Sequence, residues 1–301
     1  MFPGAETKIW KSWRDMSELA AKRNTTAQTR IGKRFEHLAR SGELGLVAYI
    51  TAGDPSLAAT EKIVLAAVEA GADVIELGVP FSDPVADGPT IQRASERALR
   101  AGTTLAGVVD LVATLREKTD VAIVLFSYFN PILQMGLEIF ASRAAAAGAD
   151  GVLVTDMTPE EASEYRVAMH AHGLDTIFLA APTSTDERLR RIVSASTGFL
   201  YIISRTGVTG AKESLPEELP AMVRRARQFT ALPIAVGFGI SLPTQVTVLG
   251  GIADAVVVGS ALVAEIERAA TTSLAATAVA ERIRLLKNAA RHGVSRREAN
   301  L

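Results

Sequence analysis

Ala70-Gly-Ala-Asp-Val-Ile-Glu-Leu-Gly78 joins a glycine that ends a helix to a short apolar run that reads as a buried strand, and the join recurs. Ala147-Gly-Ala-Asp150 and Gly250-Gly-Ile-Ala-Asp254 repeat it ahead of further apolar runs, with glycine where a helix C-terminus favours a left-handed residue. Working outward, eight β-branched runs emerge, at 45–51, 74–77, 121–126, 151–155, 176–179, 199–203, 233–236 and 253–258, with alanine- and charge-bearing helical segments between them. Near-continuous apolar strands alternating with helices mark a parallel sheet covered by helices. Eight such steps in one enzyme-sized chain predict an α/β fold, a closed TIM-type (β/α)8 barrel forming a single domain over 31–295, with its last helix at 273–291. Residues 1–30 form an N-terminal extension, either flexible or a helical cap for the barrel bottom built on Trp10, Trp13 and Leu19, and 296–301 form a tail.

Composition narrows the function classes. The 301 residues carry 32 basic and 33 acidic side chains, a net charge of -1, which gives no field to gather nucleic acid or an anionic membrane. Mean hydropathy is +0.21, yet the apolar runs stay far below the ~18 residues of a membrane span. The absence of cysteine excludes disulfides, thiolate nucleophiles and cysteine-held metals. The N-terminus mixes charges without an apolar stretch and does not read as a secretory signal, so a soluble cytoplasmic protein is expected.

Barrel active sites lie at the C-terminal ends of the strands, with phosphate commonly held after strands seven and eight. There the chain has Gly237-Phe-Gly-Ile-Ser241 and Gly259-Ser260, so Gly239, Gly259 and Ser260 could cradle an anion on backbone N–H groups at a helix N-terminus. The glycine-bearing loop 204–216 reads as a mobile lid, with Gly210 placed to reach the same anion. Glu76 interrupts an apolar strand. Period-two alternation turns Ile75 and Leu77 outward and Glu76 into the barrel, where desolvation raises a carboxylate's pKa and suits it to proton transfer; an interior ion pair is the alternative. Asp87 follows on a loop shaped by proline and glycine. Tyr49, Thr51, Tyr128, Asn130, Asp156 and Tyr201 lie at other strand ends and supply aromatic walls and polar tips. The four histidines fall on predicted helices, so neither a histidine triad nor a metal site is expected.

The segment Glu76-Leu-Gly-Val-Pro-Phe-Ser-Asp-Pro-Val-Ala-Asp-Gly-Pro-Thr-Ile-Gln92 resembles the signature of the tryptophan synthase alpha family. The likeness continues through Tyr49-Ile-Thr-Ala-Gly-Asp-Pro55, Ser127-Tyr-Phe-Asn-Pro131, Gly151-Val-Leu-Val-Thr-Asp156, Tyr201-Ile-Ile-Ser-Arg-Thr-Gly-Val-Thr-Gly210, Gly237-Phe-Gly-Ile-Ser241 and Gly259-Ser260, and spans roughly 30–290. It implies retro-aldol cleavage of indole-3-glycerol phosphate to indole and glyceraldehyde 3-phosphate, a step of tryptophan biosynthesis. By resemblance Glu76 is the acid/base, Asp87 accepts the indole N–H, Tyr201 stands near the acid/base, and Thr209 is a lid residue that meets Asp87. Leu153 and Phe238, with Tyr49 and Tyr128, wall the indole. Gly210, Gly239, Gly259 and Ser260 hold the phosphate, while Asp83, Pro84 and Asn130 face a partner. That partner is a pyridoxal-phosphate beta subunit in an α2β2 assembly, so no cofactor is expected in this chain. The extension at 1–30 and Tyr49, where many members carry phenylalanine, depart from the family pattern. A stand-alone indole-glycerol-phosphate lyase, another phosphate-binding barrel and a mainly regulatory barrel subunit are the competing readings.

Overall fold

A computed structural model describes residues 29–204, 215–237 and 239–294. Its strands are β1 (Gly45–Thr51), β2 (Val74–Gly78), β3 (Ala122–Ser127), β4 (Gly151–Val154), β5 (Asp175–Ile177), β6 (Leu179–Ala180), β7 (Leu200–Ile203), β8 (Ile234–Gly237) and β9 (Ala255–Val258). All pair in parallel, in the order β5-β4-β3-β2-β1-β9-β8-β7-β6. The two outer members are consecutive pieces of one run interrupted at Phe178: β5 pairs with β4 and β6 with β7, so that run closes the sheet into a barrel. The eight expected strands are thus present, the fifth of them broken.

Twelve helices are found among the described residues: α1 (Arg30–Ser41), α2 (Leu57–Glu69), α3 (Pro89–Arg100), α4 (Leu105–Arg116), α5 (Phe129–Met135), α6 (Leu137–Ala147), α7 (Ser163–Ala171), α8 (Asp186–Ala195), α9 (Leu219–Arg227), α10 (Pro243–Leu249), α11 (Ser260–Arg268) and α12 (Thr272–Val294). None is long and apolar enough to cross a membrane by itself. Strand alternation sorts two cores. Ile75 and Leu77 pack outward with the helix layer, while Val47, Tyr49, Val124, Leu153 and Tyr201 fill the barrel.

The barrel bottom is capped by α1. Thr29 accepts the Gly32 N–H as N-cap, and Gly42 ends the helix in the left-handed region at φ 68°. Between them Ile31, Phe35 and Leu38 recur at helical spacing and are buried in the barrel core, each worth about 1.5–3 kcal/mol in removed apolar surface. Trp10, Trp13 and Leu19 lie outside the described residues.

The recurring strand-opening aspartates have a common task. Asp73, Asp150 and Asp254 each accept the backbone N–H of the neighbouring strand, from Leu46 at 2.6 Å, Ile123 at 2.8 Å and Ile234 at 2.7 Å. Their own N–H groups return bonds to the carbonyls of the same three residues, which fixes strand register at the bottom of the barrel. Each carboxylate is neutralised by cations: Asp73 by Arg34 and by Lys287 of α12 at 2.6 Å, Asp150 by Arg30 and Arg116, and Asp254 by Arg227. Lys287 is itself buried. Removing one partner of a buried pair strands the other charge, so Asp73→Ala is expected to cost about 3–5 kcal/mol in urea unfolding.

Candidate active site

Glu76 occupies the middle of β2, between Tyr49 on β1 and Val124 on β3, which are its register partners. It is fully buried, and neither carboxylate oxygen has a hydrogen-bond partner among the described residues. Burial alone pushes its pKa up to about 8, leaving the carboxyl protonated at neutral pH.

Asp87 reaches the same cavity from the loop after β2. That loop is shaped by its own bonds: Val85 N–H to the Asp83 carbonyl, Asp87 N–H to the Pro84 carbonyl, and the Gln92 side chain back to the Asp87 carbonyl. Tyr128 locks it, accepting the Ala86 N–H at 2.9 Å and donating its hydroxyl to Asp87 Oδ2 at 3.1 Å. Gly88 caps α3 directly afterwards, with Pro89 in the first turn, so Asp87 stands at the positive end of a helix. Burial raises the Asp87 pKa to about 6 against the opposing Tyr128 bond, so this carboxylate is ionised at neutral pH.

Both carboxylates line one cavity with Tyr49, Ile91, Phe126, Tyr201, Gly239, Val257, Gly259 and Ser260. The tyrosines enter because the ends of the strands beside them are glycine: a Cβ on Gly78 would meet the Tyr49 hydroxyl at 2.1 Å, and one on Gly237 the Tyr201 hydroxyl at 2.1 Å. Burial pushes both phenols well above their ordinary pKa, and nearby carboxylates add to the effect. They stay neutral donors. Beside Tyr49, Gly259 caps α11 with Ser260 as its first residue, and Gly239 adopts φ 84°, a conformation that favours glycine.

The structure therefore brings together Glu76, Asp87, Tyr49, Tyr201, Gly239, Gly259 and Ser260. Tyr128 is held to Asp87 by its hydroxyl, and its ring packs at a tilt on Phe81 with centroids 5.1 Å apart. Leu153 is buried in the barrel beside its register partner Phe126, which lines the cavity. Asp83 and Asn130 are exposed on the rim and Pro84 partly so, next to Val85, which is 84% exposed. Thr209, Gly210 and Phe238 lie outside the described residues. Sequence reading missed Ile91, Phe126 and Val257; inward alternation at the ends of β3 and β9 pointed to the last two.

The profile of the tryptophan synthase alpha chain family matches residues 35–291. The chain belongs to the tryptophan synthase alpha family. It is 54% identical to the tryptophan synthase alpha chain of Solibacter usitatus over 245 residues, covering 81% of this chain and 92% of that one. Against the alpha chain of Geobacter sulfurreducens it is 51% identical over 240 residues, covering 80% and 91%. Among solved structures, tryptophan synthase of Mycobacterium tuberculosis superposes with TM-score 0.81 at 36% identity, covering 87% of this chain and 98% of that one. The alpha subunit of Legionella pneumophila gives TM-score 0.81 at 37% identity, covering 88% and 99%. The expected TIM barrel is thereby borne out. The alpha reaction of this family is cleavage of indole-3-glycerol phosphate, a lyase step of tryptophan biosynthesis, and an alpha chain implies a beta-subunit partner.

Proposed function

We propose that Glu76 and Asp87 divide the proton and charge handling of the alpha reaction between them. What supports this reading is one observation: two carboxylates in a single cavity whose surroundings hold them in opposite states at neutral pH, with pKa values of about 8 and about 6. Protonated Glu76 donates its proton to the ring carbon that bears the glycerol phosphate arm. The positive charge so created is delocalised to the indole N–H, where the Asp87 carboxylate accepts the hydrogen bond and stabilises it. Glu76, now ionised, takes the proton of the adjacent side-chain hydroxyl. The carbon–carbon bond then breaks, its electrons return to the ring, and indole and an aldehyde leave with Glu76 reprotonated. The neutral Tyr201 and Tyr49 hydroxyls bound the acid, and Ile91, Phe126 and Val257 supply apolar wall for the ring.

In this reading the phosphate rests on Gly239, Gly259 and Ser260, at the N-terminus of the nine-residue α11. The family resemblance adds Gly210 to the phosphate contacts, Thr209 as a lid residue that meets Asp87, and Phe238 as a wall of the indole pocket. Asp83 and Asn130, exposed at the rim with Val85, and the partly exposed Pro84 meet the beta subunit in a cytoplasmic α2β2 assembly, and pyridoxal phosphate belongs to that partner. The barrel domain is 31–295, preceded by an extension at 1–30 and followed by a tail at 296–301.

The test is indole release by the purified chain across pH, alone and with a beta subunit. Activity is expected to rise as Asp87 ionises through about 6 and to fall as Glu76 ionises through about 8, a bell centred near neutrality. A rate that ignores pH between 5 and 9 would remove both roles.

A further inference from the structure

Away from the cavity, α3 and α11 are joined by four charged side chains that the chemistry above does not use. Arg93 and Arg97 lie one turn apart on the same face of α3. Glu267, in the last turn of α11, accepts both Arg93 Nε at 2.7 Å and Arg93 Nη2 at 2.8 Å, and also Arg97 Nη1 at 2.8 Å. Arg97 turns its other edge to Asp54 in the loop after β1, with Nε to Oδ1 at 2.8 Å and Nη2 to Oδ2 at 2.7 Å. Asp54 is buried, 1% exposed. The elements tied in this way follow β1, β2 and β9, which are neighbours in the sheet.

We infer that this cluster is a positioning device that sets the separation between the two ends of the substrate site. The inference rests on the site reading above. Asp87 and Ile91 ride on the start of α3, and Gly259 and Ser260 on the start of α11, so each helix start lines the cavity and, in that reading, meets one end of the substrate. Glu267 lies seven residues beyond Ser260, and Arg93 six beyond Asp87, so a contact between them fixes how the two helix starts stand relative to each other. A lone exposed ion pair adds little, but one carboxylate shared by two guanidiniums, one of them anchored bidentately on a buried aspartate, holds its geometry. The two arginines drive the Glu267 carboxyl down to about 2, so the cluster stays charged through the working pH range.

A ligand that spans both ends feels their separation, whereas its separate pieces do not. Full-length wild type and Glu267→Gln are compared by calorimetry for indole, for inorganic phosphate, and for an indole bearing a saturated three-carbon phosphate arm that cannot be cleaved. Glu265→Gln serves as control: it removes the same charge from α11, but Glu265 pairs with Arg268 and with Arg282 of α12. The expected result is a five- to twentyfold loss for the linked ligand in Glu267→Gln alone, with both pieces held within about twofold. Equal loss for the pieces, or no loss for the linked ligand, overturns the positioning role. A wild type that holds none of the three removes the site reading, and the clamp with it.

Discussion

Glu76→Gln is expected to lower indole release by about three orders of magnitude or more, the upper part of the range for a single acid/base group, because one carboxyl both gives and takes a proton in the cleavage. The same change should make the protein more stable in alkali. A carboxyl raised from its ordinary value of 4.5 to about 8 by burial binds its proton more tightly in the folded state than in the unfolded one. The folded protein therefore bears no penalty below about 4.5; the penalty grows with pH up to about 8 and is complete above that. The shift corresponds to roughly 3–5 kcal/mol, which the neutral amide avoids. Urea unfolding of the two proteins should nearly coincide at pH 4.5 and separate by pH 9, with the variant the more stable. Coincidence at both pH values would mean that Glu76 is not desolvated. An inactive variant whose stability gain follows pH would show a group kept for chemistry at the expense of the fold.

Asp87→Asn should cost two to three orders of magnitude, the range for removing one group that stabilises charge developing in the transition state. The loss should fall on kcat more than on KM, since the positive indole ring exists only during the reaction. The acid limb of the pH profile, expected near 6, should vanish in this variant and move in another. Tyr128→Phe removes the hydroxyl bond that lowers the Asp87 pKa, so the limb should shift to higher pH while the alkaline limb stays where Glu76 sets it. A Tyr128→Phe profile that matches wild type would deny Asp87 the acid limb.

The strands and the inward turn of Glu76 were legible because period-two alternation and the strand-opening glycines are local signals, written within a few residues. The break at Phe178 was not legible. It depends on one run pairing on its two sides with strands that belong to opposite ends of the sheet order, a relation no local window contains. The α1 cap was legible in principle, since Ile31, Phe35 and Leu38 stand at helical spacing between Thr29 and Gly42, downstream of Trp10, Trp13 and Leu19 on which a cap was expected. For the site, sequence singled out Glu76, Asp87, Gly239, Gly259 and Ser260, all of which line one cavity. It could not show that Leu153 stands beside Phe126, or that the Tyr128 hydroxyl bonds to Asp87, because both are contacts between different βα units. The room that Gly237 leaves at the end of β8 is taken by the Tyr201 hydroxyl, again from a different βα unit.

The pair between Asp73 and Lys287 closes a span of 214 residues, from the start of the second strand to the last helix. During synthesis the ribosome delivers that strand long before its buried counter-charge exists. Until α12 emerges, the partly exposed Arg34 is, among the described residues, the one cation left to neutralise Asp73, and the first half of the barrel waits with a carboxylate it cannot comfortably enclose. Chains cut short ahead of Lys287 therefore lose more than a surface helix: they lose the ion that lets their beginning settle.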